Sequence, residues 1–196
     1  DGTNNKDILK VVAHPLDNNT VYYVGSTLGL KKYADGTTTT ITGLGNSSTI
    51  LDFQISGDGQ CMLLGSAAGT RIETYVSQDG GSSWTNLHPS QLNGFGNGRG
   101  EYSISAEKNT DGNYTMYALF SSNSGTLGGV YRSVDNGVTW YQIGPAATGS
   151  FTPLSTTLSQ QGNYNLVILS SQDGEFCTLG GINLWKWQHT PSGTHS

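Results

Sequence analysis

Short runs in which apolar and polar side chains alternate recur along this chain, and each is closed by a cluster of Gly, Asn or Asp. Alternation with a period of two puts every second side chain on one face, which is the pattern of a half-buried strand. A first unit reads as strands over 8–14, 20–24, 29–33 and 37–42, broken at Leu16-Asp17-Asn18-Asn19 and at Asp35-Gly36. The pattern restarts over 49–55, turns at Ser56-Gly57-Asp58-Gly59, continues over 60–65 and ends in a hairpin over 74–87. A third unit runs over 101–107, turns at Asp111-Gly112-Asn113, continues over 114–120 and closes with a hairpin over 129–143. A fourth is expected over 154–159, turning at Gln161-Gly162-Asn163, then over 164–170 and 182–188. No stretch sustains a helical period, so the predicted class is all-β.

Two of the hairpins are the same hairpin. Ser77, Asp79, Gly81, Ser83 and Trp84 recur 56 residues later as Ser133, Asp135, Gly137, Thr139 and Trp140, each followed three residues on by Leu87 or Ile143. The spacing Ser-x-Asp-x-Gly-x-(Ser/Thr)-Trp has a physical logic. Gly tolerates the positive φ of a tight turn, hydroxyl and carboxylate satisfy turn amides, and the indole fills space between sheets. The motif resembles the Asp-box of sialidases, sortilin-like receptors, xyloglucanase-type glycoside hydrolases and related β-propellers. That resemblance implies four-stranded antiparallel blades, here near 8–42, 49–87, 101–143 and 154–196, the last incomplete. Four-stranded units spaced at intervals of about 40 to 55 residues are the sequence signature of propeller blades. Residues 189–196 are too polar for a convincing outermost strand. The expectation is therefore three and a half to four blades of a larger ring of six to ten, with the remaining blades or domains of the same larger protein as partners.

Composition narrows the function classes. Charged residues are 12% of the 196, against about a quarter in ordinary domains, while 28 are Gly. This turn-rich, charge-poor style resembles large exported proteins of Bacteroidetes-like bacteria and implies an extracellular or cell-surface location. The net charge of −5 comes without basic clusters, so nucleic-acid binding is not expected. No apolar run approaches the length of a spanning helix, and membrane insertion is not expected either. Cys61 and Cys177 read as buried small hydrophobes, with one bridge as the alternative. His14, His88, His189 and His195 lack metal-ligand spacing, so neither a metal nor a cofactor is expected. No nucleophile elbow or phosphate loop is present.

The remaining chemistry is weighed through the resemblance. Sialidases grip a carboxylate with three arginines; Arg71, Arg99 and Arg132 are the whole supply here, and Arg132 adjoins Ser133 inside a box hairpin. Xyloglucanase-type enzymes use two acids, which suits inverting hydrolysis when the carboxyls stand roughly 6.5 to 9.5 Å apart. Glu101, Asp173 and Glu175 are candidates by an expected position on the face opposite the box turns, with solvated loop carboxylates as the plain alternative. The Gly- and Asn-rich loop over 88–100 holds Phe95 and Arg99, which would suit a sugar or peptide ligand, with a Phe that anchors the loop onto its blade as the plainer reading. Trp185 and Trp187 alternate with Lys186 and share one strand face, either as a stacking platform or as blade packing. The function expected is a non-catalytic recognition or display module that binds protein or glycan. The alternatives are part of a polysaccharide hydrolase, or an assembly factor that holds another protein.

Overall fold

The computed structural model describes residues 7–25, 28–44, 49–68, 71–87, 98–122, 124–144, 162, 164–181 and 183–189. Every regular element in it is a strand, and the strands form four separate antiparallel sheets in chain order. Sheet 1 holds β1 (Ile8–Ala13), β2 (Thr20–Gly25), β3 (Gly29–Ala34) and β4 (Thr37–Thr40). Sheet 2 holds β5 (Thr49–Ile55), β6 (Met62–Ala68), β7 (Arg71–Ser77) and β8 (Thr85–Asn86). Sheet 3 holds β9 (Gly100–Lys108), β10 (Tyr114–Ser121), β11 (Leu127–Ser133) and β12 (Tyr141–Gly144). Sheet 4 has three described strands, β13 (Val167–Ser170), β14 (Phe176–Gly180) and β15 (Leu184–Gln188). Each sheet is an up-and-down meander, and the first strands β1, β5, β9 and β13 stand side by side along the arc. This is the architecture of an incomplete β-propeller.

Three apolar cores lie between successive sheets. Tyr22, Val24 and Leu30 of sheet 1 pack with Phe53, Met62, Leu64 and Tyr75 of sheet 2. Leu63, Ile72 and Val76 of sheet 2 pack with Tyr102, Met116 and Phe120 of sheet 3. Tyr117, Leu119 and Val130 of sheet 3 pack with Ile168, Leu179 and Trp187 of sheet 4. Each inner sheet thus buries both faces, which is why β6 and β10 read as nearly unbroken apolar runs while the outermost strands do not. Sheet 1 turns between β3 and β4 on Asp35 and Gly36 alone, with φ of 48° and 81°, the mirror-image turn that matches strand twist.

Sheet 4 departs from the expected reading. The run expected as a second strand ends in β13, which is the first strand of its sheet: it lies against β9 and β10 as β9 lies against β5 and β6. Strand β14 falls where no strand is expected, behind the turn Ser171-Gln172-Asp173-Gly174. It is the same turn as Ser56-Gly57-Asp58-Gly59. In both, the first Ser amide donates across the turn, to the Cys61 or the Phe176 carbonyl, and the Asp carboxylate takes its own turn's Ser hydroxyl. The expected strand over 154–159 lies outside the described residues.

Candidate functional site

The two repeated hairpins use their polar groups internally. Asp79 accepts from the Ser83 amide at 2.8 Å, the Ser83 hydroxyl at 2.6 Å and the Ser77 hydroxyl at 2.8 Å, while Ser77 Oγ accepts from the Gly81 amide. Asp135 repeats the set with Thr139 and Ser133, and Gly137 donates to Ser133 Oγ at 2.8 Å. The Ser83 hydroxyl and amide, followed by Ser77, draw the Asp79 carboxyl down to about 2. Trp140 is buried in the core between sheets 2 and 3, and Trp84 packs on the core between sheets 1 and 2. These turns are occupied by their own fold, and the recess between them, lined by Gln78, Thr85, Leu87, Asn136 and Val138, has Asp79 as its one carboxylate.

Charge collects at the other end of the arc, where the first strands begin. Counted back from the matched turns, Lys10 on β1, Asp52 on β5, Glu101 on β9 and Val167 on β13 share one register position. Asp52 is 1% exposed and accepts four bonds: Lys10 Nζ at 2.5 Å and its neighbour's Phe53 amide at 2.7 Å on Oδ1, Gln54 Nε2 at 3.2 Å and the Tyr102 amide at 2.7 Å on Oδ2. It therefore ties three sheets together, and its lone pairs are taken. Glu101 differs. Arg99 places Nε at 2.7 Å and Nη2 at 2.6 Å on Oε1, and no other donor reaches the carboxyl among the described residues. Burial first, then the Asp52 charge, push the Glu101 carboxyl up to about 7 against the pull of Arg99 and Lys10. A half-buried carboxyl with one oxygen open can accept or donate a hydrogen bond near neutral pH.

Two expectations are corrected here. Asp173 and Glu175 do not share a face with Glu101, since they lie on the β13–β14 turn at the box-turn end. Glu107 at the far end of β9 bonds the Gln172 carbonyl, so Glu101 stands about six residues, or roughly 20 Å, away. Asp173 instead binds the Ser171 hydroxyl and the Glu175 amide, and those bonds hold its carboxyl below the usual range. Glu175 meets Arg132 Nη2 at 3.6 Å. Phe95 lies outside the described residues. Asp52 and Lys10 were missed, although an Asp inside Ile50-Leu51-Asp52-Phe53, with no turn residue near it, was a visible signal.

The other candidates resolve into packing. The three arginines have separate partners: Arg71 pairs with Glu73 at 2.8 Å, Arg99 with Glu101, and Arg132 lies over the rings of Tyr117 and Trp187 while donating to the Gly174 carbonyl. Trp185 and Trp187 pack in the core between sheets 3 and 4. Cys61 and Cys177 are buried free thiols that burial pushes up to about 12. Among the described residues no group of His, Cys, Asp and Glu has the arrangement of a metal site.

No protein-family model matches the chain, and no curated protein matches it in sequence. Solved structures do match in fold. The GH74 xyloglucanase from Xanthomonas campestris gives a TM-score of 0.69 at 14% identity, over 97% of this chain and 30% of that one. The GH74 enzyme from Niastella koreensis gives 0.67 at 18%, over 96% and 30%. An auxiliary nutrient binding protein from Bacteroides thetaiotaomicron gives 0.57 at 13%, over 96% and 40%. The chain thus spans well under half the length of these structures. At such identities the likeness carries architecture alone, and with the four sheets it makes this chain an arc of a β-propeller.

Proposed function

We propose that this arc belongs to an exported, non-catalytic recognition module that binds a glycan or protein ligand at the end where β1, β5 and β9 begin. The observation that carries the reading is the state of the carboxylates. Inverting hydrolysis needs two acids facing one open space. Asp79, Asp135 and Asp173 are held by turn amides at the box-turn end, Asp52 is buried and fully bonded, and Glu101 is the one acid of the shared first-strand position, among the described residues, whose second oxygen is not hydrogen-bonded. A polar mouth with Lys10, Arg99 and Glu101 beside one another suits hydrogen bonding to hydroxyls or to a peptide rather than bond cleavage. The low charge and Ser-, Thr- and Asn-rich surface support export.

The test is affinity electrophoresis in xyloglucan and β-glucans beside a reducing-end assay, with protein ligands sought by pull-down. Retardation without product release, weakened about tenfold or more by Arg99→Ala, is the expected result. Release of reducing ends that Glu101→Gln abolishes would replace the reading. The observation favouring that second reading is the raised Glu101 carboxyl, which suits a general acid whose partner carboxylate comes from another blade.

A further inference from the structure

The interfaces between neighbouring sheets follow a rule of matched sizes at one register position. On sheet 2, Gly65 leaves a hollow that the Tyr102 ring of sheet 3 fills, so closely that a Cβ on Gly65 would stand 2.2 Å from Tyr102 Cε2. The phenol oxygen also bonds Thr74 Oγ1 at 2.9 Å. The same position is Val24 on sheet 1, which shares a core with Phe53, and Leu119 on sheet 3, which shares a core with Ile168. Gly, Val and Leu are thus matched by Tyr, Phe and Ile: the smaller the floor, the larger the side chain from the next sheet. Close packing demands this, because interiors leave few voids larger than a water molecule.

Two sheet faces have no neighbour among the described residues. Sheet 4 exposes Val167, Leu169 and Leu184, and sheet 1 exposes Leu9, Val11 and Tyr33. Both continue patterns that are buried elsewhere in the arc. On sheet 4 the register position of Gly65 is held by Gly180, paired with Val167 and Leu184 as Gly65 is paired with Asp52 and Thr74. On sheet 1 the position of Phe53, Tyr102 and Ile168 is held by Val11. Val167 Cγ1 and Leu184 Cδ1 stand 3.3 and 3.6 Å from the place of a Gly180 Cβ, on the rim of that floor, and Val11 lacks the reach with which the Tyr102 ring closes on Gly65. The two free faces are therefore not each other's partners.

We infer that sheet 4 packs against a further blade of a longer polypeptide, one whose first strand lays a Tyr or Phe side chain over Gly180, and that it closes neither on sheet 1 of its own chain nor on sheet 1 of a second copy. The inference rests on the reading that this chain is part of a longer propeller, but not on what that propeller binds. The solved structures that share the fold run to more than twice this chain's length, which leaves room for such a blade.

The experiment compares the polypeptide carrying its native flanking sequence with residues 1–196 alone. Gly180→Ala is expected to lower the melting temperature of the longer protein by roughly 5 °C or more, while changing residues 1–196 by less than about 2 °C, since there the new Cβ meets Val167 Cγ1 at 3.3 Å, on an exposed side chain that can turn aside, and the Asn183 carbonyl oxygen at 3.4 Å. Leu169→Cys is expected to react with a thiol reagent about tenfold or more slowly in the longer protein, with exposed Asp111→Cys reacting equally in both and buried Cys61 and Cys177 giving little background. Equal effects of Gly180→Ala in the two proteins, or full labelling of Leu169→Cys in the longer one, overturns the inference. So does sedimentation of residues 1–196 at twice 20.8 kDa with Val11→Cys and Leu169→Cys both shielded, which makes a second copy the occupant.

Discussion

Replacing Gly65 with alanine tests whether blade-to-blade packing sets the stability of this arc. The new methyl carbon would lie 2.2 Å from Tyr102 Cε2, 2.8 Å from Cζ and 2.9 Å from the phenol oxygen. Carbon atoms rest about 3.5 to 4.0 Å apart, so the ring must retreat by more than about 1 Å. It has nowhere to go: Tyr102 is fully buried, Phe120 stands edge-on at 5.6 Å, and the phenol is bonded to Thr74. Overpacking costs about 1–3 kcal/mol and the lost hydrogen bond about 1 kcal/mol more, giving roughly 2–4 kcal/mol. In a chain of this size that lowers the melting temperature by roughly 5 to 15 °C, measurable by far-UV circular dichroism. Tyr102→Leu makes room, so the double variant should be less destabilised than the sum of the singles by more than about 1 kcal/mol. Gly57→Ala is the control, because its Cβ would meet nothing nearer than the Ala106 carbonyl oxygen at 3.4 Å. A Gly65→Ala protein that melts within about 1 °C of the parent, or strict additivity in the double variant, refutes the packing argument.

Glu101 makes stability depend on pH near neutrality. Its carboxyl is raised from 4.5 to about 7 in the folded chain, so the stability it contributes is fully present below about 4.5 and is lost as pH rises through about 7. Urea unfolding at pH 5 and pH 8 should differ by roughly 1–3 kcal/mol on this account, and Glu101→Gln should flatten the difference. Asp79 works in the opposite sense: its carboxyl is lowered from 3.8 to about 2, so its contribution holds above 3.8 and disappears as pH falls through about 2. Asp79→Asn should therefore shift the acid midpoint of an unfolding titration upward. Asp135→Ala removes the acceptor for the Thr139 amide and hydroxyl and the Ser133 hydroxyl, and should cost about 1–2 kcal/mol in the same unfolding assay. Ellman's reagent should find almost no thiol in the native chain and two in urea, since Cys61 and Cys177 are buried and unpaired.

Much of the fold was legible because hairpin chemistry is local. The Ser, Asp, Gly and Trp positions of a box turn bond to one another within a few residues, so spacing alone reveals them. Strands β5 and β10 fall where period-two alternation puts them, within a residue at either end. Sheet 4 departs from the sequence reading because Gln161-Gly162-Asn163 has the composition expected of the turn between a first and a second strand, while Ser171-Gln172-Asp173-Gly174, which shares the Ser-x-Asp-Gly pattern of Ser56-Gly57-Asp58-Gly59, is the turn that holds that place. That single slip of one strand moved Asp173 and Glu175 to the wrong end of the arc. The mouth was legible only in part. Glu101 and Arg99 were found from sequence, but Asp52 and Lys10 come from two other sheets, and no local pattern states which strands stand side by side.

The shared register position of Lys10, Asp52, Glu101 and Val167 has a consequence for how such a protein diversifies. Four first strands offer the same address with the same surrounding backbone, yet hold a cation, two acids and an aliphatic group. Lys10 is ion-paired with Asp52, and both charges act on the Glu101 carboxyl, so an exchange at one of these three addresses resets the other two, while Val167 stands outside the set. A row of this kind changes by matched exchanges on neighbouring leaves rather than one leaf at a time.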